Sequence, residues 1–169
     1  MIEIIEDIDK ALVSEAWYSA LALAISLPDI CAFIETGENG SKSRFIKWFE
    51  SNLPSYSKFL SGADCYALRC AYLHQGHEDT RSQNAQDLIE RYYFVAPKKG
   101  WTVHFNRLGS VLQLQVDVFS KDISAAAIKW WDKLEQSEDV KNRLNHTIRI
   151  RDMSKEGILI TSPSNLNDM

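Results

Sequence analysis

Arg69 and His74 are the two residues whose types and spacing could together do chemistry. Arginine is a planar, permanently charged phosphate ligand, and histidine exchanges a proton near neutral pH. The pair could bind a scissile phosphate of RNA and activate the ribose 2′-hydroxyl by general acid–base catalysis, without metal. On an ideal α-helix, residues five positions apart are turned about 140° from each other. A shared site therefore needs an unwound last turn near Gly76, or a second copy of the chain.

The same two residues also fit a purely structural role. Arg69 could pair with a local carboxylate such as Asp64 or Glu50. His74 could end a helix, where the helix dipole favours a cation. Residue types alone favour this structural alternative, because Arg and His are common near helix C-termini.

A metal site is another alternative for this segment, with Cys65, Cys70, His74 and His77 as four potential zinc ligands. Cys70 and His74 would share one face of a helix. Cys65 would point away from Cys70, however, and structural zinc sites favour closer Cys-x2-Cys pairs. We therefore predict no metal ligands and no cofactor, and reduced cysteines, since three is an odd number for a disulfide framework.

Helices are predicted to position this segment. From Ile8 to about Glu35 the apolar residues recur at spacings of three and four, which is typical of one helix face. Pro28 lies inside this pattern, so the helix should kink there or stop near Leu27 and restart. Ser41 is a plausible N-cap for a third helical stretch, and Ser61 opens the one that carries Arg69.

The apolar pattern changes after about residue 88. Residues alternate around Tyr92, from Trp101 to Phe105 and from Leu112 to Val118, which predicts an antiparallel meander of half-buried strands. Ser120 and Ser137 are expected to cap C-terminal helices. Isoleucines within residues 147–169 could form a last hairpin before a frayed tail.

The aromatic residues of the middle strand allow two interpretations. Trp101 and Phe105, beside Lys98 and Lys99, could stack bases while the lysines attract phosphate. The alternation instead favours a strand face that packs into the core.

Composition and charge limit the class of protein. The length of 169 residues suits one domain, and 45% hydrophobic with 25% charged residues is ordinary for a globular fold. The net charge is −4, with twelve acidic and six basic residues over 1–80. A general nucleic-acid binder would be strongly basic, so this class is excluded. The acidic N-terminus and the short apolar stretch before Pro28 predict no signal peptide or membrane segment, hence a cytoplasmic protein.

The segment from Asp64 to Gly76, with a long helix before it, resembles the Arg-x(4–6)-His segment of HEPN domains. The resemblance covers roughly residues 8–80. It implies a helical bundle that forms a homodimer in which two such segments face each other. It also implies a metal-independent endoribonuclease of a toxin–antitoxin or other defence system, with RNA as substrate and an antitoxin or other protein as partner. Arg69 would contact phosphate and His74 would transfer the proton.

One position departs from the HEPN pattern. Active HEPN nucleases usually carry a polar residue directly after the arginine, and here Cys70 follows it. A thiol is a weak hydrogen-bonding group. Some HEPN domains are catalytically inactive modules for dimerisation or for binding ligands or proteins, and this remains the alternative function.

The sequence thus predicts an α+β fold that is predominantly α. A HEPN-like helical region over 1–80 should be followed by a small antiparallel meander and a C-terminal helix over 88–146, in the same domain. Residues 147–169 would add the hairpin and tail.

Overall fold

The computed structural model describes residues 1–37, 40–75 and 91–150. Six α-helices and three β-strands lie in this part of the chain. They are α1 (Ile2–Val13), α2 (Trp17–Thr36), α3 (Ser41–Asn52), α4 (Gly62–Cys70), β1 (Arg91–Val95), β2 (Asn106–Leu108), β3 (Val111–Gln115), α5 (Val116–Lys133) and α6 (Glu138–Asn145). A 3-10 turn at Pro54–Tyr56 follows α3, and a π turn at Ala71–Gln75 follows α4.

The prediction of a predominantly helical α+β fold is confirmed, but the antiparallel meander is wrong. The sheet is mixed, with strand order β1-β3-β2. Strand β1 pairs in parallel with β3, and β2 pairs antiparallel with β3. The segment from Trp101 to Phe105 forms no strand, because Phe105 has a left-handed φ of 60° that breaks extended backbone. After β1 the chain therefore crosses over, so that β3 lies between β1 and β2.

The long N-terminal helix is interrupted at a different place from the one predicted. Helix α1 ends at Val13, where the Ser14 hydroxyl donates to the Lys10 carbonyl and Glu15 takes a left-handed φ of 57°. Pro28 neither stops the helix nor restarts it, because it lies inside α2. A residue in the left-handed conformation ends a helix just as proline can. Glutamate is not a residue type that predicts this conformation, so the sequence did not indicate it.

Two of the helix starts are confirmed. The side chains of Ser61 and Ser137 accept hydrogen bonds from the backbone N–H three residues on and cap α4 and α6. Ser41 is instead the first residue of α3. Helix α5 already begins at Val116, so the predicted cap Ser120 lies buried inside it.

The two halves of the chain share one hydrophobic core, in which α2 packs against α1, α3 and α5. Arg143 of α6 closes the C-terminal end of α2, where Nε donates to the Ile34 carbonyl at 2.7 Å and Nη2 to the Glu35 carbonyl at 2.9 Å. These bonds satisfy carbonyls that have no partner within the helix. Gly37 ends α2 with φ 65°, and a Cβ there would lie 2.9 Å from Arg143 Cδ.

Of the predicted final hairpin, only the beginning falls within the described residues. Ile148 and Ile150 are exposed and form no strand. Ile158 and Ile160 lie outside the described residues, as do Gly76, the predicted helix stop, and residues 88–90 of the second predicted region.

Helix α2 is the one described helix that is long and apolar enough, by length and composition, to cross a membrane. Half of its most apolar window is buried inside the fold. The core helix of a soluble protein passes the same test, so a soluble protein is compatible with this helix.

Candidate functional site

A π turn brings Arg69 and His74 into contact. Helix α4 ends at Cys70 and continues directly into the π turn Ala71–Gln75. In a π turn the hydrogen bonds run between residues five apart, which widens the helix and brings such residues together; π turns are frequent at functional sites. Arg69 Nη1 lies 3.1 Å from His74 Nε2. A site shared by the two residues needed a last turn that departs from the α-helix, and the π turn at Ala71–Gln75 is such a turn.

The direction of the hydrogen bond in this contact follows from the arginine. A guanidinium group only donates hydrogen bonds, so Nε2 of His74 is the acceptor in this contact. His74 is exposed, whereas the side chain of Arg69 is only 18% exposed. A cation held in place by its partners therefore contacts an accessible imidazole.

Asp29 of α2 holds Arg69, in place of the predicted partners Asp64 and Glu50. Arg69 Nη2 donates to Asp29 Oδ2 at 2.9 Å, and Arg44 Nη2 of α3 donates to Asp29 Oδ1 at 3.2 Å. All three side chains are less than a fifth exposed. The carboxylate thus ties three helices together and fixes the direction of the Arg69 side chain.

Sequence reasoning did not find Asp29 or Arg44. One signal was available, since Asp29 is the single charged residue within the long apolar run from Trp17 to Ile34. A carboxylate is rarely buried in a core helix unless it is paired. Arg44 and Arg69 could not be predicted as its partners, because they lie 15 and 40 residues further along the chain and no helical or strand periodicity relates residues so far apart.

Aromatic rings complete the setting of the two arginines. The guanidinium carbon of Arg44 lies 5.5 Å from the centre of the Phe33 ring, and that of Arg69 lies 6.0 Å from the centre of the Tyr66 ring. A cation that lies above the face of an aromatic ring is attracted by the ring's negative electron density. Within the described residues, the buried Nε of Arg69 makes no hydrogen bond.

A largely apolar groove of about 480 Å³ opens beside the arginine pair. Asp29, Arg44 and Arg69 line its polar part, and its apolar wall includes Ile4, Ile30, Phe33 and Leu144. Apolar walls with a few convergent polar groups are typical of ligand sites.

The cysteines do not surround this site. Cys65 is fully buried, and burial raises the pKa of its thiol well above the usual value. Cys70 is partly exposed, and its sulfur lies 4.0 Å from Arg69 Nη1. Among residues 1–37, 40–75 and 91–150, no group of three His, Cys, Asp or Glu could hold a metal ion, and His77 of the zinc alternative lies outside these ranges.

A second polar cluster, which the sequence did not indicate, joins Tyr56, His104 and Asp122. The backbone N–H of Gln115 donates to His104 Nδ1 at 3.2 Å, so the imidazole proton lies on Nε2, 3.1 Å from the Tyr56 hydroxyl. Tyr56 donates in turn to Asp122 Oδ2 at 2.9 Å. Burial, and then Asp122, raise the pKa of Tyr56, which keeps it a donor. The chain of bonds requires a neutral His104.

Protein stability is expected to fall in mild acid because of His104. Burial lowers the pKa of His104 below its usual 6.5, although Asp122 and Asp117 partly oppose this. The unfolded chain therefore takes up the proton first, so this contribution to stability is complete above pH 6.5 and is lost as the pH falls towards the folded-state pKa. Urea unfolding at several pH values should show the loss. His104→Gln, which keeps a donor to Tyr56, should remove the fall in unfolding free energy below pH 6.5. If the variant and the wild type lose the same stability in this range, His104 is not the group responsible.

Comparison of the chain with protein-family models, curated proteins and solved structures found no match.

Proposed function

We propose that this chain is a HEPN-like, metal-independent endoribonuclease of the cytoplasm that uses Arg69 and His74. The observation that carries the proposal is the 3.1 Å contact between Arg69 Nη1 and the accessible Nε2 of His74. Asp29 holds the guanidinium in place, so a phosphate is offered a fixed cation next to a base. This supports the role that the HEPN resemblance implies for the two residues.

The chemistry follows from these positions. A phosphate oxygen accepts the hydrogen bond of Arg69 Nη1–H, which frees the lone pair of His74 Nε2. Nε2 removes the proton of the ribose 2′-hydroxyl, the 2′-oxygen attacks phosphorus, and the bond to the 5′-oxygen breaks. The products are a 2′,3′-cyclic phosphate and a 5′-hydroxyl, whose proton comes from an imidazolium or water. A second copy of the chain, facing the first, would supply that imidazolium.

Exposed apolar side chains beside His74 support a homodimer. Tyr18 at the start of α2 is 82% exposed, and Leu73 is 37% exposed. The Tyr72 hydroxyl donates to the Tyr18 carbonyl at 3.1 Å, which places Tyr18 next to the π turn. A partner that covered these side chains would bring a second His74 to the same cleft.

Tyr18→Asp is therefore expected to convert a dimer into a monomer and to reduce cleavage at least tenfold. The change places a charge in an apolar interface but costs little stability, since Tyr18 is exposed. Sedimentation velocity measures the state of assembly. Leu108→Asp, at a comparably exposed site on β2, is the matched control and should remain dimeric. A Tyr18→Asp variant that stays dimeric would contradict this interface.

The function itself is tested by incubating the purified chain with a mixed RNA pool in EDTA. The proposal expects fragments with 2′,3′-cyclic phosphate and 5′-hydroxyl ends. A folded dimer that leaves the RNA intact, with or without added divalent metal, would overturn it.

A catalytically inactive module that binds a ligand or a protein is the second candidate. Two observations favour it: Cys70 stands where active HEPN nucleases carry a polar residue, and a groove of about 480 Å³ lies beside the arginines. In either case we propose a toxin–antitoxin or defence context, in which an antitoxin or other protein would cover the site.

A further inference from the structure

The tight turn between β1 and β2 presents an exposed tryptophan. The backbone N–H of Trp101 donates to the Lys98 carbonyl at 3.0 Å, and Gly100 at φ +82° completes the turn. A positive φ at the third position of a tight turn favours glycine. Trp101 is 65% exposed, so the sequence-based expectation that it packs into the core is wrong. Phe105 does pack inward, with its ring centre 4.7 Å from that of Tyr56.

Two lysines accompany the exposed indole. Lys98 Nζ lies 5.5 Å from the centre of the Trp101 ring, and Lys98 and Lys99 are both exposed. Within the described residues, neither lysine forms an ion pair. Beside the indole is a depression of about 160 Å³ lined by Val95, Val103 and the Gln115 side chain. An aromatic face with unpaired cations beside it is typical of surfaces that stack bases and attract phosphates.

This turn lies within reach of the proposed cleavage site. The Phe94 ring on β1 is 6.5 Å from the ring of Tyr72, which precedes His74 by two residues. Lys98 follows Phe94 by four residues, and a backbone span of at most about 3.3 Å per residue keeps it within roughly 20 Å of the Tyr72 ring. A few nucleotides of single strand can cover this distance, on the scale of the roughly 4–16 nucleotides that single-strand sites occupy.

We propose that Trp101, Lys98 and Lys99 form a second RNA contact, at which one base of a single strand stacks on the indole and the lysines bind adjacent phosphates. This inference rests on the proposed function and names single-stranded RNA as the class of substrate. A chain of net charge −4 would bind RNA in this way because local cations and stacking take the place of a general positive surface.

The test measures binding in the His74→Ala background, which separates binding from cleavage. Fluorescence anisotropy follows a labelled, unstructured RNA of about twelve nucleotides, a length within known single-strand sites. Trp101→Ala should weaken binding about tenfold or more, whereas Trp101→Phe should retain most of it. Lys98→Gln with Lys99→Gln should reduce the slope of log K against log salt by about 0.7 for each phosphate that the lysines no longer neutralise.

Control variants keep this second contact distinct from the proposed function. Lys58→Gln with Lys129→Gln removes the same charge from exposed positions elsewhere and should leave both affinity and salt slope unchanged. No RNA binding, or equal binding by Trp101→Ala, would overturn the second contact even if the wild type cleaves RNA. Equal binding by Trp101→Leu and Trp101→Phe would also overturn it, because it would indicate apolar contact without stacking. Specific binding without cleavage by the wild type would leave this contact standing and overturn the nuclease.

Discussion

Replacing His74 with alanine is expected to lower the rate of RNA cleavage by about 10²- to 10⁴-fold, the contribution usual for a positioned general base or acid. The side chain is exposed and its imidazole contacts Arg69 Nη1, so the loss should come from the chemistry and not from unfolding. Single-turnover cleavage in EDTA measures the rate, and circular dichroism checks the fold.

Two companion variants show whether His74 transfers a proton. His74→Asn keeps a hydrogen-bond partner for Arg69 but cannot exchange a proton near neutral pH, so it should be as inactive as His74→Ala. Lys129→Ala removes an exposed charged side chain of α5 that does not line the groove beside Arg69, and it should keep full activity. Substantial cleavage by His74→Asn would show that the residue only positions Arg69.

Replacing Phe119 with alanine is expected to cost about 3–5 kcal/mol of unfolding free energy. Phe119 of α5 is fully buried, and its ring packs on Tyr56 at 6.0 Å and on Phe94 at 5.6 Å between ring centres. The truncation leaves a cavity where the 3-10 turn, β1 and α5 meet. The loss is a large part of the roughly 5–15 kcal/mol by which a domain is stable.

The same variant tests whether the two predicted regions fold as one unit. If they do, urea should unfold the wild type and Phe119→Ala in a single transition, with tryptophan fluorescence and far-ultraviolet circular dichroism changing together. Phe119→Leu, which keeps most of the apolar volume, should cost less than about 2 kcal/mol. Two separate transitions, of which Phe119→Ala shifts only one, would show that residues 1–80 and 88–146 unfold independently.

Part of the candidate site could be predicted because it is local. Arg69 and His74 lie in one short segment, and Ser61 caps the helix that carries them through a bond to Asp64 N–H three residues on. Such contacts depend only on neighbouring residues, so their spacing is visible in the chain. The width of the next turn is not visible, because a π turn and an α turn differ by one residue and surrounding packing selects between them.

The sheet shows the same limit. Alternation indicated strands near Tyr92 and Leu112, where strands occur, but periodicity contains no information on direction. The parallel pairing of β1 with β3 depends on how the intervening chain crosses over. That crossover contains the tight turn from Lys98 to Trp101, where Trp101 is exposed, and the left-handed Phe105.

The predominance of helix, the helix starts at Ser61 and Ser137 and the segment that contains both candidate residues could thus be predicted from the chain, because all of these follow from contacts within a few residues. The contacts of Asp29 and Arg44 with Arg69, and the second cluster of Tyr56, His104 and Asp122, depend instead on the folded chain. These partners are 15 to 66 residues apart in sequence, and they meet only because the helices, the 3-10 turn and the chain before β2 pack around one core.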